Sequence, residues 1–353
     1  MRVGVSLLTL APGDLGGSEI YARSLLGALA AVGEHEYVVF VPESARDAAG
    51  GLRTIAVSEL PFARRGPRRI PAMRLRVAVS RALRRELRDV DVLHYPLTVP
   101  IPKAGLPKVV TLQDVQHHDL PELFSAAQRR FRRHAYDKAS RAAEAVVVLS
   151  EFVSMRAVAT LDLRPDRIHV VPHGVDHGIF APSDESRQPF LLYPARPWPH
   201  KNHARLFEAF AQLRAELPDL RLVLTGGGLG QLAPLPEGVE AHGLVTVDEL
   251  VALYRTAACL VFPSLYEGFG LPPLEAMACG CPVAAASAAA IPEVCGDAAI
   301  YFDPHDPNAI ANGVREALAL ADELRGRGLA RAASYSWEAS ARRHDDVYRA
   351  VGT

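Results

Sequence analysis

At 353 residues and a formal net charge of −1, with 49% hydrophobic and 22% charged residues, the chain has the make-up of a soluble globular protein with two domains. No apolar run approaches the roughly 18 residues of a membrane span. The short apolar start carries no charged leader, and four cysteines without a C-x2-C pair (Cys259, Cys279, Cys281, Cys295) argue against a zinc knuckle or a disulfide framework. A cytoplasmic, reducing setting is expected, and nothing calls for a nucleic-acid partner. The charge balance hides an asymmetry. Residues 1–176 hold 25 Lys and Arg against 19 Asp and Glu, the remainder 14 against 21, as two domains with different ligands would.

In chain order, residues 3–7 read as a strand followed by a glycine-rich loop, 11–17. Ser18 is expected to cap a helix carrying Leu25, Leu29 and Val32 on one face. Short apolar runs at 37–41, 90–94, 109–112 and 145–149 continue the strand–helix alternation of a doubly wound parallel sheet. Ligands on such sheets bind beyond the carboxyl ends of the strands, so Gly16 and Gly17 lie in a promising place. From 64 to 88, ten arginines stand against one acid, Glu86, with Met73, Leu75, Val77, Val79, Leu83 and Leu87 between them. Two readings stay open here. One is a solvated arginine-rich helix face; the other is peripheral contact with an anionic membrane, or reception of a phosphorylated acceptor. The polar residues Gln113, Asp114, His117 and His118 come after another strand and should project toward a ligand.

Residues 181–189 are polar and proline-flanked, as a linker should be. The alternation then restarts. A strand at 190–193 leads into a loop holding Arg196 and Lys201, fixed cations of the kind a departing diphosphate needs. A strand at 222–225, ending at Thr225, meets the triplet Gly226, Gly227, Gly228. The triplet misses the dinucleotide spacing because Gln231 stands in the last glycine's place. The apolar run 259–262 then enters the loop Glu267, Gly268, Phe269, Gly270, Leu271. Pro272 and Pro273 suit a first helical turn, and Gly280 suits a helix end. Strand, glycine loop and helix N-terminus make an anion site. Glu267 before the loop and Glu275, read here in the first helical turn, can accept hydrogen bonds from hydroxyls. Phosphate donors flanked by hydroxyl-binding carboxylates point to a sugar nucleotide.

This segment resembles the E-x7-E signature of retaining GT-B glycosyltransferases of family 4 (GT4, group 1), and the resemblance runs from Gly16 to the last helix. It implies an α/β fold: two Rossmann-like doubly wound parallel-sheet domains facing a cleft. By the same resemblance, an acceptor domain spans 1–180, a nucleotide-sugar domain 181–335, and a final helix, 336–353, packs back on the first domain, with Trp337 as its anchor. Gly16, Gly17, Ser18 and Glu19 match the family's Gly-Gly-x-Glu loop near donor phosphate and acceptor. Arg196 and Lys201, followed by Asn202, match the bases that bind the diphosphate, and Leu244 and Val245 lie in the loop that cups the nucleotide base. Glu267 falls at the donor sugar and Glu275 at the ribose. The family's histidine near the reacting carbon is replaced by Gln113, so His117 or His118 becomes a candidate substitute. The implied activity is hexosyl transfer from a nucleotide-diphosphate sugar, GDP- or UDP-linked, to an acceptor hydroxyl. Retention is expected, with no metal or other cofactor; no D-x-D motif stands at a strand's carboxyl end. The alternatives are a sugar-nucleotide epimerase of GT-B fold and a catalytically inactive sugar-nucleotide-binding protein.

Overall fold

The computed structural model describes residues 1–60 and 69–352. It divides into two compact units, Met1–Gly174 with Trp337–Thr353, and Val175–Ser336. Arg64, Arg65 and Arg68 of the arginine-rich stretch lie outside the described residues.

The first unit is built on seven parallel strands: β1 (Arg2–Ser6), β2 (Glu36–Pro42), β3 (Arg53–Val57), β4 (Val92–Tyr95), β5 (Lys108–Leu112), β6 (Ala145–Val148) and β7 (Ile168–Val170). Their order is β3-β2-β1-β4-β5-β6-β7, so chain direction across the sheet reverses between β1 and β4. The central strands are almost wholly buried runs of Val, Leu and Ala, as a sheet covered on both faces requires. β3 and β7, at the two edges, are only half-buried.

The final helix, Trp337–Val351, belongs to this first unit through a buried polar network that no local sequence pattern announces. His344 Nε2 bonds Tyr21 Oη (2.9 Å), Tyr21 Oη bonds Thr111 Oγ1 (2.8 Å), and Thr111 Oγ1 bonds His94 Nε2 (2.8 Å). Tyr348 Oη closes the chain on His94 Nδ1 at 2.8 Å. Asp345 accepts from the Glu34 amide (2.9 Å) and from Tyr37 Oη. Burial holds the His94 imidazole well below its ordinary value and pushes His344 down to about 4. Both rings are therefore neutral at pH 7, as a water-free network of this kind needs. Trp337, 6% exposed, packs near Tyr21 and His173.

The second unit carries six parallel strands: β8 (Gln188–Pro194), β9 (Arg221–Thr225), β10 (Val239–Gly243), β11 (Ala257–Phe262), β12 (Val283–Ala286) and β13 (Ile300–Phe302). The order β10-β9-β8-β11-β12-β13 puts the reversal between β8 and β11. Of the stretch 181–189, polar enough to read as a linker, the last two residues belong to β8 and the rest is strapped to this unit. Arg255 donates to the Ala181 carbonyl (2.8 Å), Arg325 to Ser183 O (3.2 Å), and Arg187 to Ala257 O (2.6 Å). All four cysteines are buried free thiols. Among the described residues no helix is long and apolar enough to cross a membrane.

Candidate functional site

In the second unit the predicted residues converge on the carboxyl edge at the β8/β11 reversal, where an open parallel sheet leaves a crevice. The loop after β8 holds Arg196 and Lys201, and the loop after β11 holds Glu267. The two loops are sewn together. Leu265 N donates to His200 O (2.8 Å), and Tyr193 Oη donates to Lys201 O (2.6 Å) while bonding Ser264 Oγ (3.2 Å). Asn202 makes the turn into the helix His203–Glu216 at φ +61. Its buried amide donates to Pro263 O (3.1 Å) and Pro304 O (2.7 Å), pinning the ends of β11 and β13 to it.

On this frame Lys201 Nζ meets Glu267 Oε1 at 2.5 Å, with side chains only 13% and 15% exposed. The ammonium also lies 5.5 Å from the centre of the Phe262 ring. Arg196 sits over the Trp198 ring at 5.7 Å. The turn after β9 closes on the same loop: Gly226 N donates to Gly243 O (2.7 Å), and a Cβ on Gly226 would stand 3.1 Å from the Ala195 backbone. With φ at +131, that position accepts only glycine. A Cβ on Gly227 would be 3.5 Å from Leu244 and 3.7 Å from Arg196, so three predicted segments meet here. Leu244 itself is 77% exposed, an apolar platform at the mouth of the β9 and β10 turns, with Val245 beside it in the same loop. Gly226→Ala should cost about 1–3 kcal/mol of stability, read as a lowered Tm, and should displace the Arg196 loop. An unchanged Tm would show that the turn relaxes freely.

Glu275 departs from its expected place. The helix runs Leu271–Ala278 with Gly270 as its cap at φ +116, so Glu275 is its fifth residue and lies beyond the first turn. It is buried, 6% exposed, and Tyr254 Oη donates to its Oε2 at 3.1 Å. Burial pushes this carboxyl up to about 7, with the Tyr254 hydrogen bond pulling back. Tyr254 lies 21 residues upstream on the helix Val247–Thr256, and only the fold brings it to Glu275. Phe269, between Gly268 and Gly270, is buried with its ring edge-on to Tyr335 (5.9 Å), and Leu271 is buried as well. Gly280 comes after the helix at φ +73, as a helix stop should.

In the first unit, the helix after β1 is Gly17–Val32, so it begins one residue before Ser18, the expected cap. Gly16 caps it instead, at φ 55 and ψ −129, without a side-chain bond. Glu19 ties the loop to the helix start, accepting from Gly13 N (2.8 Å) and pairing with Arg23 (2.9 Å). Gln113 is half-buried and donates to Pro96 O (3.3 Å). Asp114 accepts from Gln116 N (2.9 Å) and Arg132 Nη1 (3.0 Å). His117 is wholly buried. Its Nε2 is bonded to Asp137 Oδ1 (2.9 Å), while His118 Nε2 takes Asp137 Oδ2 (2.8 Å). Burial raises the Asp137 carboxyl, but the two histidine hydrogen bonds outweigh it and hold the group below its ordinary value. The three side chains could also surround a metal ion, since their ligand atoms lie within 4.8 Å of one another; here Asp137 takes one nitrogen of each histidine, and His117 Nδ1 stays buried without a hydrogen-bond partner.

Known proteins resemble both halves of the chain. Residues 179–331 match the family described as glycosyl transferases group 1, and residues 15–178 match glycosyltransferase family 4. The chain is 30% identical over 304 residues to the O-antigen chain mannosyltransferase B of Escherichia coli, covering 79% of each. Among solved structures it is similar to sucrose-phosphate synthase from Thermosynechococcus elongatus, with a TM-score of 0.81, 22% identity, and 99% and 98% of the two chains covered. It is also similar to Anabaena HepE, solved in complex with UDP and glucose, with a TM-score of 0.77, 17% identity, and 99% and 100% covered.

Proposed function

This chain belongs to the group 1, family 4 glycosyltransferases, hexosyltransferases that draw on a nucleotide sugar, and from that premise we propose how its residues divide the work. One observation carries the reading: at the β8/β11 reversal, a partly buried Lys201–Glu267 pair stands on the same loops as Arg196, and the short helix that follows carries a buried Glu275. In this reading Arg196 and Lys201 hold the donor diphosphate. Glu267 accepts from sugar hydroxyls, Glu275 from the ribose diol, and Leu244 with Val245 lies against the base. Thr225, Gly226 and the loop Gly268 to Leu271 shape the phosphate seat.

The reaction is substitution on one face of the sugar, with retention. The anomeric carbon–phosphate oxygen bond breaks, the acceptor oxygen bonds to the same carbon, and the acceptor proton passes to the departing phosphate. Fixed cations meet the growing negative charge, so a metal is not called for. The moved group is a hexose, with mannose first in line because the E. coli relative is a mannosyltransferase. The donor nucleotide is GDP or UDP, the latter being bound in the Anabaena neighbour. The proposed location is the cytoplasmic face of a membrane. Exposed Arg74, Arg81, Arg84 and Arg85, with exposed Leu75 and Val79, suit peripheral contact.

A thermal-shift screen of GDP-, UDP-, dTDP- and ADP-sugars tests the donor, since a ligand bound only by the folded state raises Tm. Stabilisation by none of them, with no transfer to any acceptor, sinks the reading. Within the first unit, Gln113 orients the reacting groups and His117 is a positioning residue, since its Nε2 is committed to Asp137. His117→Ala should therefore cost less than about tenfold in kcat, against the hundred- to ten-thousandfold expected of a general base. It should lower Tm, because Asp137 loses a partner. Gln113→Ala should cost more in kcat with little change in Tm. A large kcat loss in a well-folded His117→Ala or His118→Ala would transfer the catalytic role to that histidine.

A further inference from the structure

Outside these sites, the surface of the first unit carries a concentration of positive charge that neither the reaction nor the fold consumes. After the Ser125 cap, the helix Ala126–Arg132 continues through a π-helical turn, Arg133–Asp137. Ala126, Arg129, Arg130, Arg133 and His134 stand at i, i+3, i+4, i+7 and i+8, the spacing of a single helix face. On a stripe of that kind apolar residues usually face a core. Here it is cationic, and the same residues line an open cavity of about 490 Å³.

Acids near them in the sequence are few, and most are engaged elsewhere. Between Glu122 and Asp137 the sequence contains no Asp or Glu, and Asp137 is turned inward onto His117 and His118. Asp114 is taken by Arg132, and Asp119 by Arg156. Arg129 is fixed from beneath by the Pro121 carbonyl (2.8 Å), which leaves the rest of its guanidinium for the cavity. Arg130, Arg133 and His134 are exposed, and no acid among the described residues forms an ion pair with them. Like charges three and four residues apart destabilise a helix, so this face is kept at a standing cost. The π-helical turn is what separates the two functions: it sends Asp137 inward and leaves Arg133 and His134 outside.

We propose that the Arg129–Arg130–Arg133–His134 cavity binds a phosphate-bearing ligand, either a diphosphate or a phosphate carried on a larger group. Guanidinium forks match phosphate oxygens two at a time, and three of them on one face suit a group with several anionic oxygens better than a lone carboxylate. The cavity is larger than one phosphate needs, which favours the larger species. The same chemistry serves a soluble phosphorylated acceptor or a lipid headgroup.

The test uses the full chain at constant ionic strength. Inorganic pyrophosphate is titrated calorimetrically into wild type, Arg130→Ala/Arg133→Ala, Lys201→Ala, and a control, Arg342→Ala/Arg343→Ala, which removes two exposed arginines of the final helix. Wild type and control should bind two equivalents, one of them at the proposed donor site. The Arg130/Arg133 variant should lose one equivalent or bind it at least tenfold more weakly, and Lys201→Ala should lose the other. Loss only with Lys201→Ala overturns the cavity and leaves the donor site standing. Loss only with the arginine variant supports the cavity and counts against Lys201. In parallel, phosphatidylglycerol and phosphatidylcholine vesicles are sedimented with each protein. Arginine-dependent binding to the anionic vesicles assigns the ligand to a headgroup, and binding of pyrophosphate without vesicles assigns it to a soluble phosphate. Equal behaviour of wild type and the arginine variant in every arm, with Tm unchanged, rejects the proposal.

Discussion

Lys201→Ala is expected to lower kcat by about a hundredfold or more, and the double variant Lys201→Ala/Glu267→Gln to lose far less than the two single losses multiplied together. The reason lies in the 2.5 Å contact between the two side chains, each largely withdrawn from water. In the proposed mechanism an arriving diphosphate competes for Lys201 and so releases Glu267 toward the sugar hydroxyls. Removing the lysine then does two kinds of harm. It takes away charge that would stabilise the leaving group, and it leaves a partly buried carboxylate without the cation that lies over Phe262, facing an anionic donor. Glu267→Gln relieves the second injury while costing the sugar contact, which is made most strongly as the reaction proceeds, so it should act chiefly on kcat. Residues that share one pair couple by about 0.5–3 kcal/mol in a double-mutant cycle. Initial rates for the four proteins, with kcat and donor KM separated, decide the matter. Strictly additive losses would mean the pair is not a working unit, and near wild-type kcat in Lys201→Ala would remove Lys201 from the site.

A feature was legible in the sequence where its determinant was local, and hidden where it was not. Lys201, Glu267 and Gly226 were readable because each sits in the loop that leaves a strand, and Gly280 because it stops a helix, places where backbone geometry dictates the residue type. The central strands were readable as apolar runs because both faces of the sheet are covered. β3 was passed over, since an edge strand that is half in water shows neither a continuous apolar run nor clean alternation. Composition misled at 181–189: polar, proline-flanked residues suggest a linker, but Arg255 and Arg325 bind its carbonyls from far along the chain, and its own Arg187 reaches out to Ala257 O. Ser18 misled in a different way. A serine before an apolar helix is a good cap, yet Gly16 alone can adopt the turn that starts the helix, and Glu19 supplies the bond to the loop. The network joining Tyr21 and His94 to the final helix spans separations of 323 and 254 residues, beyond any periodicity.

Glu275 was legible as a residue but not as an environment, and the environment sets the last expectation. A carboxyl raised from an ordinary 4.5 to about 7 by burial binds its proton more tightly folded than unfolded. Its contribution to stability is fully present below pH 4.5 and is lost as pH rises through about 7. Above that, an ionised Glu275 costs the empty protein on the order of 3 kcal/mol. Glu275→Gln, which has no charge to bury, should therefore melt several degrees above wild type at pH 8 and close to it at pH 5. Donor binding should run the other way. If the ribose diol donates two hydrogen bonds to Glu275, the carboxylate must be ionised, whereas the diphosphate of a nucleotide sugar has no group titrating in this range. Donor Kd should then be level above pH 7 and weaken about tenfold per pH unit below it, so roughly thirtyfold between pH 8 and pH 5.5. Glu275→Gln should bind donor at least tenfold more weakly than wild type at pH 8 and lose most of that pH dependence. Residues selected for a site in this way are held at the expense of stability. The paired measurement is thermal unfolding without donor and calorimetric titration with it, both from pH 5 to 8. A Tm gap that fails to widen with pH would show that Glu275 is not desolvated. A Kd profile shared by wild type and Glu275→Gln would place the donor's ribose elsewhere.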